Sequence, residues 1–320
     1  MLPDTIGDKR DLMLIFRNWR DLPAEAIQPL YDAECRRWAP LGWDYAPACA
    51  SIEHARRAGG LAGLIACDGT GQPVGWTYFL LHRGRLQIGT LVGPDRAILD
   101  GLLGAVLRSP EARASSGIAC FLYPPVPKAH VILSSRHFQV WPHHYMRLQL
   151  FEGAGTKPKA GREALNAETA EWTSVSLPDV AAMFVRAYDG MRETRCFTIA
   201  NRVEEWLLYL AHLHGGAVCG RFSAAMSSVI SAPDGSVAAA IVASELSEAT
   251  AHIAQVAVAP GHQRRGLGEK LVRRACERAR AAGYRAITLL VADSNMPARR
   301  LYERLGFERI EEFLFAYRER

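Results

Sequence analysis

Apolar and polar positions along the chain follow two alternating periods. Short unbroken apolar runs at residues 12–16, 61–67, 74–82, 86–92 and 117–123 predict strands that are buried on at least one face. Between them, residues 24–38 place Ile27, Leu30, Tyr31 and Cys35 at helical spacing, with Pro29 tolerable near the start. Residues 51–57, with Ser51 as a cap, and residues 97–107 read as two further helices. Pro124-Pro125-Val126-Pro127 is a stiff break, and residues 136–150 are extended and rich in aromatic side chains.

The pattern then lapses. Residues 152–171 are rich in Gly, Lys, Ala and Glu and hold almost no large apolar residue, as expected of a linker. Beyond it the series restarts. Residues 172–175 read as a short strand, and Pro178 opens a helix carrying Val180, Met183, Phe184 and Ala187. A second helix covers 203–213. Strands at 224–230 and 237–243 flank the hairpin signal Pro233-Asp234-Gly235. Residues 250–259 form a strand, 267–281 a helix stopped by Gly283, 286–291 a buried strand, and 297–305 a helix closed by Gly306. Residues 307–317 are extended. The two series agree except for the irregular segment around 124–127. The sequence therefore predicts two copies of one α/β fold, at 1–151 and 172–320, each a mixed, partly antiparallel sheet flanked by helices.

Composition narrows the class. A chain of 320 residues accommodates two domains of this size, and 49% hydrophobic with 22% charged residues is ordinary for globular protein. No apolar run reaches the length of a membrane span, and the first residues lack the basic-then-apolar order of a signal peptide. Seven scattered cysteines without a C-x-x-C pair predict reduced thiols and a cytoplasmic protein with no structural metal. His143-His144 does not change this, because neighbours on a strand point to opposite faces and no third ligand is evident. The net charge of +5 suits an anionic small ligand. Arginines of the last helices alternate with Glu269, Glu277 and Glu303, as on a solvated face, which argues against nucleic acid.

The most informative stretch is Val256-Ala257-Val258, followed by Gln263-Arg264-Arg265-Gly266-Leu267-Gly268-Glu269. A strand, a basic loop with glycines and a helix start together offer unpaired N–H groups and the positive end of a helix dipole to an anion. A second cluster, Asn295-Met296-Pro297-Ala298 with Tyr302 and Gly306-Phe307, puts Ala298 and Tyr302 one turn apart on one helix face.

These two motifs, in this order, resemble those of the GNAT N-acetyltransferases over residues 172–320. The resemblance implies acetyl-CoA, or another short acyl-CoA, as co-substrate, and a small-molecule or peptide amine as acceptor. It implies pantetheine contacts from Val256, Ala257 and Val258, and pyrophosphate contacts from Gln263, Arg264, Arg265, Gly266, Leu267, Gly268 and Glu269. Asn295 would touch the cofactor arm, and Tyr302 would protonate the departing thiolate. Many family members carry a glutamate on the strand near the place of Ala254, which cannot act as a base here. His252 is the replacement candidate, because it shares strand parity with Ala254 and Val256 while Gln255 faces away. Glu204, Glu205 and Glu245 are weaker ones. The first copy has no such loop; its counterpart, Thr90-Leu91-Val92-Gly93-Pro94-Asp95, sets a carboxylate where phosphate would sit, so that copy reads as degenerate. A non-catalytic acyl-CoA-binding or regulatory protein is the alternative. The sequence leaves open the oligomeric state, a homo-oligomer included.

Overall fold

The computed structural model describes residues 14–122, 129–150, 169–196, 198–215 and 219–320. The elements run β1 (Ile15–Asn18), α1 (Ala24–Trp38), α2 (Ala46–Arg57), β2 (Ala62–Cys67), β3 (Pro73–His82), β4 (Arg85–Val92), α3 (Arg96–Leu107), α4 (Pro110–Ala114), β5 (Gly117–Leu122), α5 (Ala129–Ser135) and β6 (Gln139–Gln149). They continue with β7 (Thr169–Glu171), α6 (Leu177–Ala187), α7 (Val203–His214), β8 (Arg221–Ser231), β9 (Val237–Glu245), β10 (Thr250–Val258), α8 (Leu267–Ala281), β11 (Ala286–Ala292), α9 (Met296–Arg304) and β12 (Glu308–Glu319).

All twelve strands form one mixed sheet in the order β1-β2-β3-β4-β5-β12-β6-β11-β10-β9-β8-β7. Read inward from either edge, the series is the same. Three strands lead into a parallel pair, β4–β5 or β10–β11, and a last strand taken from the other half follows. β12 lies antiparallel to β5, with Leu314 opposite Leu122, and β6 lies antiparallel to β11, with Leu290 opposite Tyr145. β6 and β12 pair with each other at the centre. The halves are thus joined by an exchange of strands.

Both faces are covered. Under α8, Leu267, Leu271, Val272, Ala275 and Ala279 form one buried stripe against β8, β9 and β10, each large side chain contributing about 1.5–3 kcal/mol. On the opposite face, α6 and α7 bury Val180, Phe184, Trp206 and Leu210. The first half repeats this with α3 on one face (Leu99, Leu102, Leu103) and α1 and α2 on the other (Ile27, Tyr31, Ile52). Pro29 sits in the second turn of α1 without ending it.

Three local expectations are corrected. The second helix begins at Ala46, with Pro47 in its first turn, so Ser51 is mid-helix; its hydroxyl donates back to the Pro47 carbonyl at 3.0 Å. Residues 172–174 form a 3-10 turn, and the strand lies just before it at Thr169–Glu171, inside the stretch read as linker. The segment before the extended stretch at 136–150, read as irregular, holds a helix, α5, whose seven residues are too few to carry a period. The proposed linker core at 152–159 and the proline break at 124–127 lie outside the described residues.

Candidate functional site

β10 and β11 pair in parallel only from Thr250–Ala286 to Ile253–Leu289. There Ala254 is an extra residue against β9: Ile253 faces Ala243, and Gln255 faces Val242. A bulge of this kind bends the strand. Beyond it β10 stays bonded to β9 alone, so the main-chain groups of residues 254–258 that point away from β9 open into a cleft. The bulge also reverses side-chain parity. Ala251, Ile253, Val256 and Val258 pack under α8, whereas Ala257 joins the opposite core and Gln255 bonds across it. His252 therefore shares its face with Gln255 rather than with Val256, contrary to the simple alternation expected from sequence.

Past Val258 the chain makes a tight turn at Pro260–His262 and reaches α8. Arg264 and Gly266 both hold positive φ, 59° and 80°. Gly266 is the N-cap of α8 and offers no side-chain acceptor to the helix, so the amides of the first turn stay open to an anion. Gln263, Arg264 and Arg265 are exposed around this end, and the Gln263 side-chain amide donates to the Val258 carbonyl at 3.3 Å. Glu269 is held by Arg273 at 2.9 Å. Gly268 needs no special space, because a Cβ there would sit at an ordinary 3.5 Å from Val258.

The other wall of the cleft is α9. Asn295 caps it, its Oδ1 accepting the Ala298 N–H at 3.3 Å. Two turns on, Tyr302 is 5% exposed and lines the cleft, and among the described residues its hydroxyl makes no hydrogen bond. Burial pushes its pKa above the ordinary phenol value. Tyr188 of α6 faces the same space, yet its proton is committed to Gln255 Oε1 at 2.6 Å, and the Gln255 amide donates to Tyr209 at 3.1 Å.

The cleft opens into a chamber of about 1900 Å³ lined from both halves. The segment joining α1 to α2 crosses over: the Asp44 N–H donates to the Leu246 carbonyl at 2.9 Å, and the Trp43 indole N–H donates to the Tyr145 hydroxyl at 2.9 Å. Reciprocally, Arg85 of β4 donates to the Thr198 carbonyl at 3.2 Å. His252 lies in this chamber between the rings of Trp43 and Tyr145, at 5.9 and 6.3 Å. Thr288 Oγ1 donates to the Ala251 carbonyl at 3.2 Å, so it accepts the His252 Nδ1–H at 2.9 Å, which leaves Nε2 as the acceptor. Burial drives the His252 pKa down to about 3.

Of the three glutamates named as weaker bases, two are engaged. Glu205 accepts the amides of Ala200 and Arg202, Glu245 pairs with Arg221, and Glu204 is exposed on α7. His143 and His144 do point to opposite faces: His143 lines the chamber, and His144 meets Asp293 at 2.8 Å. Among the described residues, no cluster of three or more His, Cys, Asp or Glu could hold a metal ion. No described helix is long and apolar enough to cross a membrane.

The first half repeats the strand geometry around a different opening. β4 and β5 pair only from Arg85 to Ile88, and Gly89 is the extra residue. A Cβ at Gly89 would collide with the Tyr78 ring, which covers the bulge. At the helix start, the Asp95 side chain accepts the Ile98 N–H at 3.0 Å, filling the position an anion would take. A Cβ at Gly93 would lie 2.6 Å from Ile98, so helix and strand are packed shut.

What sequence reasoning missed is the crossing segment. Trp38, Trp43 and Tyr45 are dense in aromatic character around Gly42, a visible signal, but nothing in their spacing names Tyr145 or Leu246 as partners. The Tyr188–Gln255–Tyr209 chain was hidden by the bulge.

Residues 189–307 match the model of the Acetyltransferase (GNAT) family. No curated protein matches the chain. Among solved structures, it is similar to a GCN5-related N-acetyltransferase from Sphaerobacter thermophilus, at 17% identity and TM-score 0.62, over 100% of this chain and 97% of that one. A tandem GNAT protein from the clavulanic acid biosynthesis pathway is similar at 14% identity and TM-score 0.59, over 96% of this chain and 98% of that one. The chain has the GNAT fold.

Proposed function

We propose that this chain is an N-acetyltransferase that moves an acetyl or similar short acyl group from acyl-CoA to a primary amine, with Tyr302 as general acid. One observation carries the reading: the buried phenol of Tyr302, whose hydroxyl has no hydrogen-bond partner among the described residues, faces the cleft between a splayed strand and α9. The cleft's other end meets a helix start with no side-chain cap. The donor set fits such a co-substrate. Open main-chain groups at 254–258 suit an amide-bearing arm, and the amides of Gly266 to Glu269 with Arg264 and Arg265 suit a diphosphate. The acyl-CoA supplies an activated thioester.

The chain's own residues supply the rest. Main-chain N–H groups at the bulge are placed to stabilise charge developing on the acyl oxygen. The Tyr302 hydroxyl holds the proton that the departing sulfur takes as the C–S bond breaks; the proton shed by the new amide nitrogen returns the phenolate to phenol through solvent. His252 is neutral, so it orients the amine by accepting one N–H rather than by storing a proton. Residues 1–151 act as a degenerate copy that walls the acceptor space, and 172–320 carry the chemistry. The six described cysteines are free thiols, in keeping with a cytoplasmic protein.

A second reading, a non-catalytic acyl-CoA sensor, is favoured by the absence of a carboxylate at Ala254 and by the low basicity of His252. Thiol release from acetyl-CoA in the presence of an amine panel separates the two. Amine-dependent release supports transfer; tight binding with no release supports the sensor.

A further inference from the structure

We infer that the acceptor is a primary monoamine with an aromatic body, bound in the chamber that the two halves share. This rests on the acyl-transfer reading. One part of the chamber wall is a run of rings in mutual contact. Trp38 stacks on Tyr45 with centroids 4.7 Å apart and planes 5° off parallel, and Trp43 tilts against Trp38 at 4.9 Å. Phe313 stands edge-on to Trp38 at 5.8 Å, and Tyr145 stacks on Phe313 at 5.1 Å. All five line the chamber. Trp38, Tyr145 and Phe313 are buried in this mutual packing, so the half-buried Trp43 and Tyr45 are the rings that present surface to an aromatic guest, by offset stacking as well as by area.

Charge excludes the main competitors. The chamber's half-buried or buried charges are spent on the protein itself: Glu245 on Arg221, Glu205 on two amides, and Arg85 on the Thr198 carbonyl. The other charged side chains along it, Asp44, Arg83, Arg192 and Glu248, are solvent-exposed. A polyamine or aminoglycoside would have to bring several ammonium groups against aromatic faces where the buried and half-buried carboxylates, Glu205 and Glu245, are already engaged, a desolvation cost that a single amine avoids. That one amine can donate to a neutral acceptor, His252 Nε2, set between Trp43 and Tyr145.

The test uses the full chain and acetyl-CoA, with thiol detection. Tryptamine and 2-phenylethylamine should exceed hexylamine, spermidine and kanamycin by about tenfold or more in kcat/KM. Trp43→Ala should raise KM for tryptamine by about tenfold, and Trp43→Phe should restore most of it, while the acetyl-CoA Kd stays within about twofold. Calorimetric titration with tryptamine alone gives a readout that needs neither variant, and binding there supports the class. Spermidine or kanamycin ahead of the aryl amines, or an unchanged ranking in both Trp43 variants, overturns it. Acetyl-CoA bound with no aryl amine bound or acetylated overturns the class and leaves the site reading intact. Failure to bind acetyl-CoA sinks both.

Discussion

The strand-and-helix pair β4/α3 and the pair β10/α8 are the same device in two conditions. Each parallel pairing lasts four residues, each strand bulges at the next one, and each then diverges. The difference lies in what meets the opening. In the first half, a ring lies over the bulge, Asp95 caps the helix from within and Ile98 packs onto the turn. In the second, the bulge is Ala254, the helix cap is Gly266 with no side chain, and a phenol whose hydroxyl makes no hydrogen bond among the described residues faces the cleft. A fold that splays two strands is therefore not in itself a site. A few side chains at its ends decide whether the opening is filled from inside or left for a ligand.

The largest effect should come from removing the phenol on α9, which has no counterpart among the described residues of α5. α5, at the place of α9, has no tyrosine. Tyr302→Phe should lower kcat by about 100-fold or more while the acetyl-CoA Kd and the melting temperature hold. Because burial raises the Tyr302 pKa, the phenol stays protonated through the alkaline range, and kcat in the wild type should show no falling limb as far as pH 10. An unchanged kcat in the variant would place the chemistry elsewhere and erase this half of the contrast.

Next is the anion end. Gly266→Glu imitates the first half by putting a carboxylate at the helix start, and it should weaken acetyl-CoA binding by at least about 100-fold. Since Gly266 has φ of 80°, the side chain also adds strain of about 1 kcal/mol, a fall of about 3 °C in Tm. Gly266→Ala carries the strain without the charge, so affinity loss confined to the glutamate variant assigns the effect to the anion site. Equal loss in both would mean that the glycine serves the backbone alone.

How much of this was legible beforehand depended on whether the signal was local. The glycine loop, the place of Asn295 at the start of its helix and the Tyr302 face are encoded within one helix or turn each, and the sequence pattern reached them; that Asn295 caps the helix it did not reach. Asp95 as an obstacle was likewise readable, because a cap needs only its own first turn. The bulge at Ala254 was not, since an alanine between Ile253 and Gln255 carries no bulge signal, and missing it put His252 and Gln255 on opposite faces. Strand exchange lay further out of reach: β6 and β12 have ordinary half-buried patterns, and only tertiary packing decides which parallel pair each joins. The crossing of Trp43 onto Tyr145, 102 residues away, belongs to the same class.

His252 tests the buried side of the second half more gently. Its pKa falls from about 6.5 to about 3 on folding, so the unfolded chain binds the extra proton between those values. Stability is therefore full above pH 6.5 and is lost as pH falls toward 3; at pH 5 the loss is about 2 kcal/mol. Urea unfolding at pH 7 and pH 5 should show that loss in the wild type and lack it in His252→Gln. Gln87 occupies the matching position of the first half and does not titrate, so no such acid sensitivity arises there.

The smallest effect asks whether the first half is closed by its carboxylate alone or by its packing. Asp95→Ala removes the cap from α3 and should cost about 1 kcal/mol, or a few degrees in Tm. It frees the Ile98 amide without making room, because Ile98 still lies against the backbone at Gly93 and Gly75. Acetyl-CoA stoichiometry by calorimetry should then stay at one per chain. A second equivalent in the variant would show that the charge of Asp95 was the whole barrier. The two halves would then differ by one side chain at the anion end, not by the way strand and helix are packed.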